Sequence, residues 1–351
     1  MIFSKLSEKN RVIVSIVLFV ALFAVLLATA TVFDLDVSKL LTENALADGE
    51  YLSHDVFGVA FEVFGSSPVF IIAGFAVAIL FLYVVRFLKL RPAREIIGVV
   101  LFAGTVLAFR FFYHDMFKYI TEHYVAAAAG SDVGYMEGVL EVIAVLCALL
   151  TSVCVVFALK GMKDETLKNL LKFVFAFILM AAVANLIIAV VKVPAGRMRF
   201  RAMNSDLGAL LGGFDNYTPW YQMRGGQPDA DILNAFAGTY GVDDAYKSFP
   251  SGHTCAAGMT YALCMLPDVL KIKNKPLRAL CWIFPVAFTG VVAISRIVVG
   301  AHFFSDVLFG GTIAFLSMAL AREIFVSKFS HFKCLSKNYV PTVEDETEMC
   351  A

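Results

Sequence analysis

Charge is what this chain has least of. Only 17 % of its 351 residues are Asp, Glu, Lys or Arg, where a soluble domain carries about a quarter. The 29 cations and 29 anions cancel, so no bulk field is present to attract nucleic acid, and none is expected as a partner. Cysteine provides no scaffold either. The seven cysteines (Cys147, Cys154, Cys255, Cys264, Cys281, Cys334 and Cys350) have no spacing of a metal site or a disulfide framework. The first five lie in or beside apolar runs and read as small packing residues. Cys350 is next to last, the wrong place for a prenylation box. Internal repeats and low-complexity tracts are missing as well.

What is there is hydrophobic: 60 % of residues, with a mean hydropathy of +0.78. The excess comes in continuous runs long enough to cross a bilayer, which takes roughly 20 helical residues. The runs do not alternate polar and apolar positions, which argues against a β-barrel. The expectation is an all-α polytopic membrane helix bundle with about eight spans, near 12–33, 66–85, 96–113, 142–159, 173–191, 253–270, 279–295 and 303–321. The first span follows Lys5, Lys9 and Arg11, and Ala28-Thr29-Ala30 resembles a leader cleavage site. Its uncharged run is long for a leader, so a retained helix is the preferred reading.

Cations set the expected orientation. They gather in alternate loops, among them Arg86, Lys89, Arg91 and Arg94, then Lys160, Lys163, Lys168 and Lys172, then Lys271, Lys273, Lys275 and Arg278. The first opposite loop is acidic, with Asp34, Asp36, Glu43, Asp48, Glu50 and Asp55. Both termini are therefore expected in the cytoplasm, in what reads as a bacterial plasma membrane. The long loop 192–252 and the short turn near 296–302 would both face outward. Tyr217, Pro219, Trp220 and Tyr221 in that loop suit the headgroup level or ordinary loop packing, and Asn216-Tyr217-Thr218 fits a glycosylation sequon. The chain divides into N-terminal spans at 1–135 with no assigned role, a core at 136–322, and a polar tail at 323–351 expected to be disordered.

The outer ends of the last four spans hold the residues that can do chemistry. Lys192 and Arg199 follow the fifth span. Pro250, Ser251, Gly252 and His253 open the sixth, and Ser295, Arg296, His302 and Asp306 join the last two. Three cations match a phosphate, with guanidinium forks the better fit. Ser251 is placed as a helix N-cap, and free N–H groups beside Gly252 would make an anion cradle. His302 and Asp306 are four apart, so on a helix they share a face, where a carboxylate could orient the imidazole as a nucleophile. His253 is then the candidate general acid. Each residue alone has a plainer reading: snorkelling for an arginine, packing for a histidine, capping for Ser-Gly. Their order along one membrane face carries the argument.

The set Lys192…Arg199, PSGH at 250–253 and SR at 295–296 with His302 and Asp306 resembles the three-part signature of the type 2 phosphatidic acid phosphatase superfamily, over roughly residues 173–321. Phe200 stands where the first part of that signature has proline. The resemblance implies a phosphatase without a metal or cofactor, a histidine nucleophile and a six-helix membrane core, to which two spans are added here. Arg197, Arg201, Arg224 and Lys247 are further charges that could meet a headgroup or solvent. A site at a membrane face implies a lipid substrate: phosphatidate, phosphatidylglycerol phosphate, polyprenyl diphosphate or lipid A phosphate. A phosphotransferase using the same histidine and a non-catalytic lipid transporter are the alternatives. A cysteine introduced at Gln227 is expected to be labelled from outside intact cells; labelling only from the cytoplasm would invert the topology.

Overall fold

A computed structural model describes residues 7–42, 56–121, 134–226, 228–237 and 245–333. Among these the chain is helical and no strand occurs. The long helices are α1 (Glu8–Thr42), α2 (Val56–Gly65), α3 (Ser67–Phe87), α4 (Arg91–Ile120), α5 (Gly134–Leu159) and α6 (Asp164–Ala195). Seven helical stretches are long and apolar enough to cross a membrane, with α2 and α3 counted as one stretch. This is an integral membrane protein. Gln227 and the residues from 334 onward, including Cys334, Cys350 and most of the expected tail, lie outside the described residues, as do Glu43, Asp48, Glu50 and Asp55.

The sixth expected span is present in a different form. It is a compound helix: α7 (Gly252–Ala257), a 3-10 stretch over Gly258–Met265, and a last turn at Leu266–Val269. Glycine entry and a late proline, Pro267, leave a segment of mixed pitch. Two long helices follow, α8 (Lys275–Val298) and α9 (Phe304–Phe325). The main buried cluster sits where α3, α6, the compound helix and α9 meet, with Phe177, Met180, Met259, Ala314 and Met318 at its centre. Large apolar side chains elsewhere point outward: Leu22, Val25 and Val32 on α1 are each at least 60 % exposed. Lipid is as apolar as a core, so such helices need no polar face.

Ion pairs hold the two ends of the bundle. At one end Arg86 bonds the Lys160 and Met162 carbonyls and the Asp164 carboxylate, tying α3 to the loop before α6. There too Arg322 of α9 bonds Asp268. At the other end stand the loop 196–251 and the turn between α8 and α9. α1 also reaches this end. The expected loop after residue 33 is instead helix as far as Thr42, with non-helical dihedrals only at Phe33. Asp34 and Asp36 therefore lie on the helix, because Asp34 has buried polar partners to satisfy it.

Two of the loop's aromatics, Tyr217 and Trp220, pack half-buried against the bundle end, while Tyr221 is exposed. Trp220 donates from Nε1 to Thr31 Oγ1 of α1 at 2.9 Å and lies 5.1 Å from Phe309 of α9. Tyr217 packs on Phe303. Asn216 spends its amide on the Leu211 carbonyl, closing its own turn. Close approach matters at Gly310 of α9, where a Cβ would overlap the Ser251 carbonyl oxygen. Gly310→Val should therefore push the loop before α7 off α9 and cost about 1–3 kcal/mol by overpacking. Thermal unfolding in detergent should show the loss, and a variant as stable as the parent would contradict this packing.

Candidate active site

Backbone bonds knit the three motif-bearing segments together. Arg199 N–H donates to the Ala245 carbonyl and Ser248 N–H to the Arg197 carbonyl, at 2.7 and 3.0 Å. These join the first segment to the stretch before Ser251. Arg201 N–H donates to the Gly300 carbonyl at 2.8 Å, joining the first to the third. Ser251 N–H donates to the Asp306 carbonyl at 3.0 Å, joining the second to the third. The spacing between Arg296 and His302 also has a structural cause. After α8 the chain turns back on itself, and the Arg296 carbonyl accepts from both Ala301 and His302 N–H. Gly300 sits at φ +64° in this turn, a conformation that favours glycine.

His302 is fully buried and precedes α9 instead of lying on it. The expectation of two side chains on one helix face is thereby corrected. Asp306 is in the first turn of α9, where its Oδ2 accepts Phe303 N–H at 2.8 Å and so caps the helix. The same oxygen accepts the Ser248 hydroxyl at 2.5 Å and lies 3.7 Å from His302 Nδ1. The direct acceptor for Nδ1 is the Ser248 carbonyl, at 2.6 Å. Asp306 thus supports the imidazole through Ser248 and by its charge.

The ring's other nitrogen faces a cation. Arg199 Nη1 lies 3.3 Å from His302 Nε2, and the same Nη1 donates to the Ala301 carbonyl at 2.8 Å. A guanidinium can only donate and a carbonyl can only accept. His302 is therefore the Nδ1–H tautomer, with its Nε2 lone pair directed into the cationic site. Burial first, and then the Arg199 charge, push its pKa down to about 3, so the imidazole is neutral at pH 7.

The remaining expected residues gather around this pair. Ser251 is the N-cap of α7 and accepts Thr254 N–H at 3.3 Å. A Cβ on Gly252 would stand 3.5 Å from Lys192 Nζ, so the ammonium closes on the start of α7. Lys192 and Arg199 both act on the charge of His302, and Arg296, Arg199 and Lys192 all act on that of His253. Phe200, in the place of a proline, starts the short helix Phe200–Met203, where proline is favoured. Its ring fills space against Phe214 and Phe303. Of the further charges, Arg197 and Arg201 are buried, while Arg224 is exposed and stacks over Tyr246. Lys247 is half-buried.

Four residues from the region with no assigned role reach this site. Arg296 Nη1 lies 3.1 Å from the Glu62 carboxylate of α2, and its Nη2 donates to the Gly58 carbonyl. Tyr119 of α4 bonds His253 Nε2 through its hydroxyl at 3.1 Å. Asp34 of α1 accepts from Arg197 Nη2 at 2.7 Å, and Arg197 Nη1 donates to Asp306 at 2.6 Å. Burial and the nearby Asp34 charge push the Tyr217 phenol up to about 12, so it remains a donor toward Asp34 at 3.5 Å.

The tautomer is directly observable. In detergent-solubilised protein with 15N-labelled histidine, His302 should give a neutral Nδ1–H pattern that does not titrate between pH 8 and 5. The sign follows from the depressed pKa: the neutral form persists until the pH falls toward 3. A midpoint near 6.5 would contradict the assignment.

Among the described residues, no group of three His, Cys, Asp or Glu side chains is placed to hold a metal ion. Among protein families, the PAP2 superfamily matches residues 170–329. No curated protein and no solved structure matches the chain significantly. The matched segment runs from α6 to the end of α9 and holds every expected site residue. Residues 170–329 are thus similar to the PAP2 superfamily, a family whose members are phosphatases.

Proposed function

We propose that the protein is a lipid phosphate phosphatase that works without a metal, through a phosphohistidine on His302, at the outer face of the membrane. The observation that carries this reading is the orientation of His302. Its proton is committed to the Ser248 carbonyl, and its free lone pair looks at the Arg199 guanidinium. A phosphate held on that cation would present phosphorus to Nε2.

In this mechanism Lys192, Arg199, Arg296 and the N–H groups at Ser251-Gly252 bind the phosphate oxygens. They stabilise the charge that grows on them in the transition state; each such donor is typically worth roughly 100- to 1000-fold in rate. Nε2 bonds to phosphorus as the bond from phosphorus to the lipid oxygen breaks. The leaving oxygen takes a proton from His253. Water then attacks the phosphohistidine and gives a proton back to His253, inorganic phosphate departs, and His302 regains its lone pair.

A lipid substrate is supported by the surroundings of Lys192. Val190 and Val193, which flank it on α6, are at least half exposed on the bundle's outer surface, where acyl chains lie. A lipid could thus bring its phosphate in sideways. The loop charges support a reading in which this end of the bundle faces the periplasm or cell exterior, with both termini in the cytoplasm.

The test is phosphate release from a panel of phosphatidate, phosphatidylglycerol phosphate and undecaprenyl diphosphate, in excess EDTA. The parent should turn over at least one of these, and His302→Ala should lose about 1000-fold or more. Activity lost in EDTA and restored by magnesium, or a fully active His302→Ala variant, would overturn the mechanism. Transfer of phosphate to an alcohol in place of water would identify the phosphotransferase.

A further inference from the structure

The PAP2 match begins at residue 170, yet α1 contributes a buried carboxylate to the centre of this site. Asp34 is 1 % exposed. Its Oδ1 accepts Ser305 N–H at 2.7 Å, at the start of α9. Its Oδ2 accepts the Ser305 hydroxyl at 2.5 Å and Arg197 Nη2 at 2.7 Å. Arg197 turns its other amino group, Nη1, to Asp306 Oδ1 at 2.6 Å and to Ser305 Oγ at 2.7 Å. One guanidinium thus lies between two carboxylates, one from the first long helix and one from the last.

The charge balance of this arrangement bears on His302. Phosphoryl transfer to Nε2 puts positive charge on the imidazole. Arg197 and Asp306 alone would form a neutral pair, whose field on the ring largely cancels. With Asp34 the group carries two negative charges and one positive, so it is net negative, while Arg197 still fixes Asp306 in place. Low local dielectric makes that single charge count. We propose that Asp34 is a positioning residue of the reaction centre, one that keeps the Arg197–Asp306 pair electrically negative beneath His302 and makes α1 part of the catalytic unit. The proposal rests on the phosphohistidine reading above.

The experiment uses the full chain in detergent–lipid micelles and whichever lipid of the panel the parent turns over. Four proteins are compared: parent, His302→Ala, Asp34→Asn and the double variant Asp34→Asn/Arg197→Gln. Asparagine keeps the shape and an acceptor for Ser305 but drops the charge, leaving the group neutral. Its kcat should fall at least ten-fold, with KM and the inhibition constant of inorganic phosphate changed less than two-fold. Adding Arg197→Gln restores one net negative charge and should raise kcat at least three-fold over the single variant. A merely structural Asp34 gives the opposite order, because a second buried substitution adds damage. The proposal is overturned if Asp34→Asn loses less than ten-fold in kcat, if KM absorbs the loss, or if the double variant fails to recover. Should Asp34→Asn not fold, the double variant decides against the parent: kcat above one tenth supports the proposal, and anything lower overturns it. An inactive parent or an active His302→Ala removes the phosphohistidine reading and this inference together. An active parent, a dead His302→Ala and an unaffected Asp34→Asn remove this inference alone.

Discussion

The buried guanidinium of Arg197 is the constraint around which this end of the bundle is organised. A cation taken out of water must be paired, and leaving it unpaired costs about 3–5 kcal/mol. Arg197 finds Asp34 on one side and Asp306 on the other, and it lies 4.1 Å from the Phe303 ring centroid, a favourable cation–aromatic placement. Its position therefore fixes three separate pieces of chain: α1, the start of the loop after α6, and the first turn of α9. Asp306 caps α9 and supports Ser248 through one oxygen while that cation holds the other.

The remaining charges follow the same rule of local balance. Arg296 is buried completely and stands against Glu62, itself nearly buried. His253 meets the Tyr119 hydroxyl. Two motif residues, Arg296 and His253, thus have polar neighbours supplied by helices before residue 135. Polar contacts join helices before residue 135 to the segment that the family model matches.

Much of this could be read from residue order. Of the eight expected spans, seven correspond to long helical stretches among the described residues, since composition decides what can sit in lipid. Ser251 as a helix cap and the gathering of Lys192, Arg199 and His302 follow from motif spacing and loop side. The contributions of Asp34, Glu62 and Tyr119 do not, because their partners lie more than 130 residues away and no local period marks them. A signal was present at Asp34: an acid directly after an apolar run can be loop or buried pair, and composition does not separate the two. The His302–Asp306 geometry was misjudged for a related reason. A four-residue spacing implies a shared face only if the helix already includes its first member, and here the helix starts two residues later. The compound form of the sixth span was equally hidden, since 3-10 and α pitch differ little in pattern over eight residues.

The bonds between Asp34 and Ser305 join residues 271 positions apart. α1 therefore waits for α9 before its carboxylate is satisfied. A nascent chain that has not yet inserted α9 holds an unmatched acid and, after α6, an unmatched arginine in or near the membrane. The buried polar group is assembled only when α1 and α9 meet. Loop closure over that distance is slow relative to local helix formation. Assembly of this buried polar group is thus tied to insertion of α9.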